Sequence, residues 1–168
     1  KPVAAPLPAT KLPVDEISRR LALPGWRSDL WPAGESAAQK RLADFAGGCL
    51  EKYHESRDLP AVDGTSCLSP WLACGAISPR QCLAAVSRKN RQWPAAGSGA
   101  EAWLNELIWR DFYTHVVVGF PRVSRSQPFQ KKTAGLKWRY DESDLQAWQN
   151  GLTGYPIVDA AMRQLKQT

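Results

Sequence analysis

The chain has 168 residues, 43% of them hydrophobic and 23% charged, with a net charge of +6. That length fits one domain plus a linker, and the composition excludes a disordered tail or a low-complexity array. The longest aliphatic run, Val116 to Val118, falls far short of the roughly 18 apolar residues of a membrane span, and no secretory h-region follows Lys1-Pro2.

Residues 1–33 are rich in Pro and Ala and read as an interdomain linker or arm, with at most a short helix from Asp15 to Leu23. The chain lacks an initiator Met and opens without a start signal, which predicts a segment of something longer. The globular part is expected over 34–168. Ser36-Ala-Ala-Gln39 has the pattern of a capping box. Leu42, Phe45, Ala46, Cys49, Leu50 and Tyr53 follow at helical spacing, predicting one helix to about Glu55.

Pro60 and Gly64 belong to the next loop. Ser69-Pro70 places Pro at N1 behind a Ser N-cap, opening a short helix that Gly75 closes. Ser78-Pro79 repeats that start signal, and Leu83, Ala84, Val86 and Ser87 continue the helix. Gln92 to Gly97 is a loop. Ser98-Gly-Ala-Glu101 is a second capping box, and it opens the longest helix, Gly99 to Val118, which Gly119 and Pro121 stop. Phe112 to Tyr140 then carries six Lys and Arg and no acid, a footprint for phosphates or a solvated loop. Asp141 or Ser143 caps a helix through Trp148, Asn150-Gly151 ends it, and Pro156 opens the last. No segment alternates with period two. The fold class is all-α.

The four cysteines lack metal-ligand spacing, and the chain has only two histidines, so the expectation is a reduced, cytoplasmic protein with no metal site. Eight tryptophans are a different matter, because indoles fill cores, stack on flat ligands or anchor interfaces. On the long helix at 100° per residue, Leu104, Leu107, Ile108 and Phe112 fall on one side. Trp103, Glu106, Trp109, Arg110 and Tyr113 fall nearly opposite. Such a face suits a flat, hydrogen-bonding ligand. It also reads as an ordinary Glu106–Arg110 helix pair beside packed aromatics, and the residues alone leave both open. Gly64-Thr-Ser-Cys-Leu-Ser69-Pro70 carries three hydroxyls into a helix N-terminus, a setting for a phosphate or simply a cap.

Thr65-Ser-x-Leu-Ser-Pro70, Gly75-x-x-Ser-Pro-Arg80, Trp103-Leu-Asn-Glu-Leu-Ile-Trp-Arg-x-Phe-Tyr113 and Thr153-Gly-Tyr-Pro-Ile-Val-Asp-Ala-Ala-Met-Arg163 occur in that order. Together they resemble the photolyase/cryptochrome family, closest to its bacterial class I cyclobutane pyrimidine dimer photolyases, from about Trp31 to Leu165. The resemblance implies a multi-helix domain that binds FAD without a Rossmann motif, present in its N-terminal half. It implies flavin contacts at Tyr53, Thr65, Ser66, Cys67, Leu68, Ser69 and Trp103. Glu106 would hydrogen-bond a flipped pyrimidine dimer and Trp109 would stack on it. Arg57, Arg110 and Tyr113 would join them at the DNA surface, and Trp138 would be the solvent-end member of an electron-transfer chain.

Ultraviolet-damaged DNA is the partner implied, with the full protein a monomer. An antenna pigment of folate or deazaflavin type would come only with a further N-terminal domain. The rival readings are a cryptochrome-type photosensor and a non-enzymatic basic module for nucleic acid. Taken alone, residues 1–168 are expected to bind FAD weakly or not at all.

Overall fold

Helices begin where a cap or a proline releases them, and the computed structural model, which describes residues 27–90 and 94–168, shows seven of them and no strand among the described residues. They are α1 (Glu35–Gly48), α2 (Tyr53–Ser56), α3 (Ser69–Cys74), α4 (Pro79–Asn90), α5 (Gly99–Gly119), α6 (Glu142–Asn150) and α7 (Pro156–Gln167). Short 3-10 turns lie at Leu50–Lys52, Val123–Arg125 and Lys131–Thr133. Residues 33–167 pack as one unit. Most of the expected arm over 1–33, with the short helix at 15–23, lies outside the described residues.

The first expected cap is displaced. Helix α1 starts at Glu35 behind Gly34, which has no side chain to accept a hydrogen bond, so Ser36 already lies inside the helix. Gln39 donates to the Glu35 carboxylate at 2.8 Å instead of closing a capping box. Nor does one helix run to Glu55. Gly47 and Gly48 each weaken a helix interior by about 1 kcal/mol relative to Ala, and α1 stops there. The chain tightens through Leu50–Lys52 and restarts as α2. That break lets Leu50 and Tyr53 both face the core.

Ser69 is likewise not an N-cap. Leu68 takes that place, with no side-chain cap bond, because it is drawn almost completely into the core. The cap at Ser78 is a full capping box: its hydroxyl accepts from the Gln81 N–H at 3.2 Å, and the Gln81 side chain accepts from the Ser78 N–H at 2.8 Å. At α5 the Ser98 hydroxyl accepts from the Glu101 N–H, and the Glu101 carboxylate accepts from the Gly97 N–H at 2.6 Å.

The core joins α1 through α5. Ala38, Leu42, Phe45, Leu50, Tyr53, Leu68, Trp71, Ile77, Cys82, Val86, Trp103 and Leu104 are buried. At its centre Phe45 meets Tyr53 edge-on at 5.9 Å between ring centroids and Trp103 at 5.1 Å. Close approach of α5 to the 3-10 turn requires Gly99, since a Cβ there would overlap the backbone carbonyl oxygens of Leu50 and Glu51. Only the first part of α5 is covered, with Gly99, Trp103 and Leu104 buried. From Ile108 onward its large side chains are exposed.

Helices α6 and α7 pack on each other. Asp141 caps α6, accepting from the Ser143 and Asp144 N–H groups and the Ser143 hydroxyl. The Ser143 hydroxyl, then Arg139, then the Asp144 N–H stabilise its charged form and pull its pKa down to about 2. A carboxyl depressed in the folded state contributes stability above the usual carboxylate range and loses it as pH falls through its folded pKa. We therefore expect the Asp141 carboxyl to titrate near pH 2 by NMR, with the Ser143 and Asp144 amides losing protection in step. Titration near 4 would show the cap to be open.

The α6–α7 turn is held by Asp159. It is a buried carboxylate that accepts from the Thr153 hydroxyl at 2.6 Å and from the Thr153 and Gly154 N–H groups at 2.8 and 3.1 Å. Arg163 donates to the Gly151 carbonyl at 3.1 Å. These bonds explain the Thr-Gly-Tyr-Pro-x-x-Asp text as a turn that satisfies its own backbone.

Candidate functional site

Two features carry the candidate chemistry: the loop 64–69 and the outer face of α5. The loop owes its shape to Arg41 of α1, whose guanidinium donates to the carbonyls of Ser66 at 2.9 Å and Thr65 at 3.1 Å. Those two backbone acceptors are thus satisfied from within the protein. Gly64 is buried against Ser56, where a Cβ would collide with the Ser56 side chain. Cys67 adopts φ 50°, a left-handed conformation uncommon outside glycine, and its Sγ lies 3.3 Å from the Thr65 hydroxyl. Leu68 is buried and pins the loop, while Thr65 and Ser69 are exposed.

This donor set fits an anion. Two loop carbonyls are taken up by Arg41 and the Thr65 and Ser69 side chains are exposed, which suits a pyrophosphate better than a cation. Tyr53 and Trp103 pack against Phe45 in the core, only 8% and 3% exposed. They form wall rather than open surface, and burial, followed by the nearby Glu106 carboxylate, raises the pKa of the Tyr53 phenol.

On α5 the exposed face is aromatic. Trp109 stacks on Tyr113 at 5.8 Å with 29° between the planes, and Phe112 meets both rings edge-on at 5.4 Å. Phe112 thus belongs with Trp109 and not with the apolar side on which the angular projection placed it. Residues three apart on a helix are neighbours, and that spacing was the signal available for it. All three rings are about half exposed, so the cluster still presents aromatic surface to a flat partner.

Of the two readings left open for Glu106 and Arg110, the ordinary helix pair gives way to longer-range partners. Arg110 donates to the Leu72 carbonyl at 3.2 Å, tying α5 to the last turns of α3. Glu106 accepts from Arg57 at 2.5 Å. Arg57 lies over the Tyr53 ring at 5.9 Å from guanidinium carbon to centroid and also approaches Asp58 at 3.6 Å. Burial works against its charge, but Asp58, Glu106 and Tyr53 outweigh it and raise its pKa. The structure therefore links Tyr53, Arg57 and Glu106 in one chain of contacts and gathers Trp109, Phe112 and Tyr113 in another, both including residues of α5.

Trp138 belongs to a different cluster. It is 73% exposed and, with Tyr140, Leu145 and Trp148, lines an open cleft of about 810 Å³ beside α6. Arg41 and Asp159 were not identified in the sequence. Arg41 has no local signature, because its partners lie 24 and 25 residues away. Asp159 could have been found as a carboxylate six residues after a threonine in a Gly-containing turn.

Fold and site together define the class: an all-helical domain whose hydroxyl loop suits a nucleotide cofactor and whose aromatic, carboxylate-bearing helix face suits a second flat ligand. A family profile described as "FAD binding domain of DNA photolyase" matches residues 103–168. Proteins named deoxyribodipyrimidine photo-lyase are 47% identical in Escherichia coli and 46% in Vibrio cholerae, each over 82% of this chain and 29% of the relative. The one from Thermus thermophilus is 40% identical over 99% of this chain and 38% of its own length. The solved structure of a bacterial class III photolyase from Agrobacterium tumefaciens superimposes with a TM-score of 0.80 at 38% identity, covering 90% of this chain and 32% of that one. The chain belongs to the photolyase family. It spans about a third of the length of the curated relatives it matches.

Proposed function

We propose that the protein carrying this chain repairs cyclobutane pyrimidine dimers in DNA, using light and reduced FAD. The observation that carries this reading is the α5 face itself. Glu106, a hydrogen-bond acceptor, and Trp109, a stacking plane, stand side by side and exposed where a base extruded from a duplex could meet both. Extrusion of a damaged dinucleotide costs less than that of normal bases, since the lesion is already poorly stacked and paired.

Each residue has a part suited to its environment. Thr65, Ser66, Cys67 and Ser69 would face the cofactor pyrophosphate, with Leu68 anchoring the loop below. Tyr53 and Trp103 would hold the adjoining wall. FAD would supply the electron on absorbing blue light. Arg57, Arg110 and Tyr113 would lie along the DNA, and the basic segment from Phe112 to Tyr140 would draw in phosphates. The exposed indole of Trp138 suits exchange of electrons with solvent species. A folate or deazaflavin pigment would belong to other parts of the protein.

A cofactor measurement tests the reading against the basic-module rival. Purified in the dark, the full protein should be yellow or blue and release FAD on denaturation. A colourless protein that binds DNA with no preference for damage would favour the basic module.

A further inference from the structure

Glu106 is an exposed glutamate on a helix, and such a side chain ordinarily samples several rotamers, at an entropic cost when a ligand fixes it. Here it is already fixed. Arg57 reaches from the end of α2 and donates through Nη1 to Oε1 of Glu106 at 2.5 Å. The guanidinium is in turn confined by the Tyr53 ring beneath it and the Asp58 carboxylate beside it. Tyr53 is itself locked edge-on against Phe45 in the core. A chain of contacts thus runs from the core to the carboxylate, and it uses only one of the two Glu106 oxygens.

From this geometry we infer that Arg57 is the positioning residue of Glu106: it holds the carboxylate aimed through Oε1, so that Oε2 is presented to the N–H groups of an extruded pyrimidine. This deepens the proposed function and rests on it. The alternative role for Arg57, a phosphate contact, would act on any DNA alike. Positioning acts only where Glu106 is used, on the lesion. A carboxylate oxygen accepts hydrogen bonds, so fixing its direction favours a ligand edge that carries donors. Pairing preorganises the site before the ligand arrives.

The test is a double-mutant cycle in the full protein, read as dark binding to a duplex with one thymine dimer and to the same duplex undamaged, at several salt concentrations. Arg57→Gln should lower the preference for the dimer about 5–10-fold. Adding it to Glu106→Gln should lower that preference no further, because the two act as one unit. Arg57→Lys, which keeps the charge but loses the planar fork, should give an intermediate preference with an unchanged melting temperature. Equal weakening on both duplexes, with the salt slope reduced by about one and effects additive with Glu106→Gln, would overturn the inference and leave Arg57 a phosphate contact. The Glu106→Gln single variant tests the underlying reading separately: an unchanged preference there would remove Glu106 from the lesion site.

Discussion

Replacing Trp103 with alanine is expected to destabilise the domain by about 3–5 kcal/mol, the range for truncating a large buried aromatic. Its indole is packed at 5.1 Å on Phe45, which also holds Tyr53. Removing it opens a cavity where α1, α2 and α5 meet, and the loss should appear as a lowered melting temperature even in protein stripped of FAD. Trp103→Phe, which keeps most of the volume, should recover much of it. A Trp103→Ala protein with normal stability but impaired FAD binding would show that the indole serves the cofactor alone.

Trp109→Ala should behave in the opposite way. The indole is 51% exposed and touches Phe112 and Tyr113, themselves on the surface, so the fold should tolerate its loss. Binding to dimer-containing DNA should weaken by about 1–3 kcal/mol, the range for loss of base–aromatic stacking. Binding to undamaged DNA should change far less, because phosphate contacts dominate there. Equal losses on both would make Trp109 a packing residue.

Much of the helical framework was legible in the sequence because its signals are local. Ser98, Asp141 and Pro156 mark helix starts through bonds, or missing donors, within a few residues, and α5, α6 and α7 begin there. The errors came where a distant partner outweighed the local signal. Ser69 looks like a cap, but burial of Leu68 sets the start of α3. The apolar spacing from Leu42 to Tyr53 is continuous, yet two glycines let the chain break and turn its second half inward.

The candidate site divides along the same line. The residues of the α5 face and the loop could be selected from the sequence, through the family resemblance. Their partners could not. Arg41 shapes the loop from 24 and 25 residues away, and Arg57 reaches Glu106 across 49. Helical spacing predicts neighbours on one helix and says nothing of a guanidinium arriving from another. Placing Phe112 required only the i,i+3 rule, which the division of the helix into two sides obscured.

The central claim is that this domain takes part in light-driven dimer repair, and one measurement tests it most directly. The full protein, with its FAD fully reduced, is mixed with an oligonucleotide containing a single thymine dimer and illuminated with blue light under anaerobic conditions. Loss of the dimer is followed by chromatography, with a dark sample as control. The account predicts conversion to the intact thymines in the light alone, strongly reduced in Trp109→Ala at limiting protein. Persistence of the dimer with bound, reduced flavin would contradict repair and favour a photosensor built on the same fold.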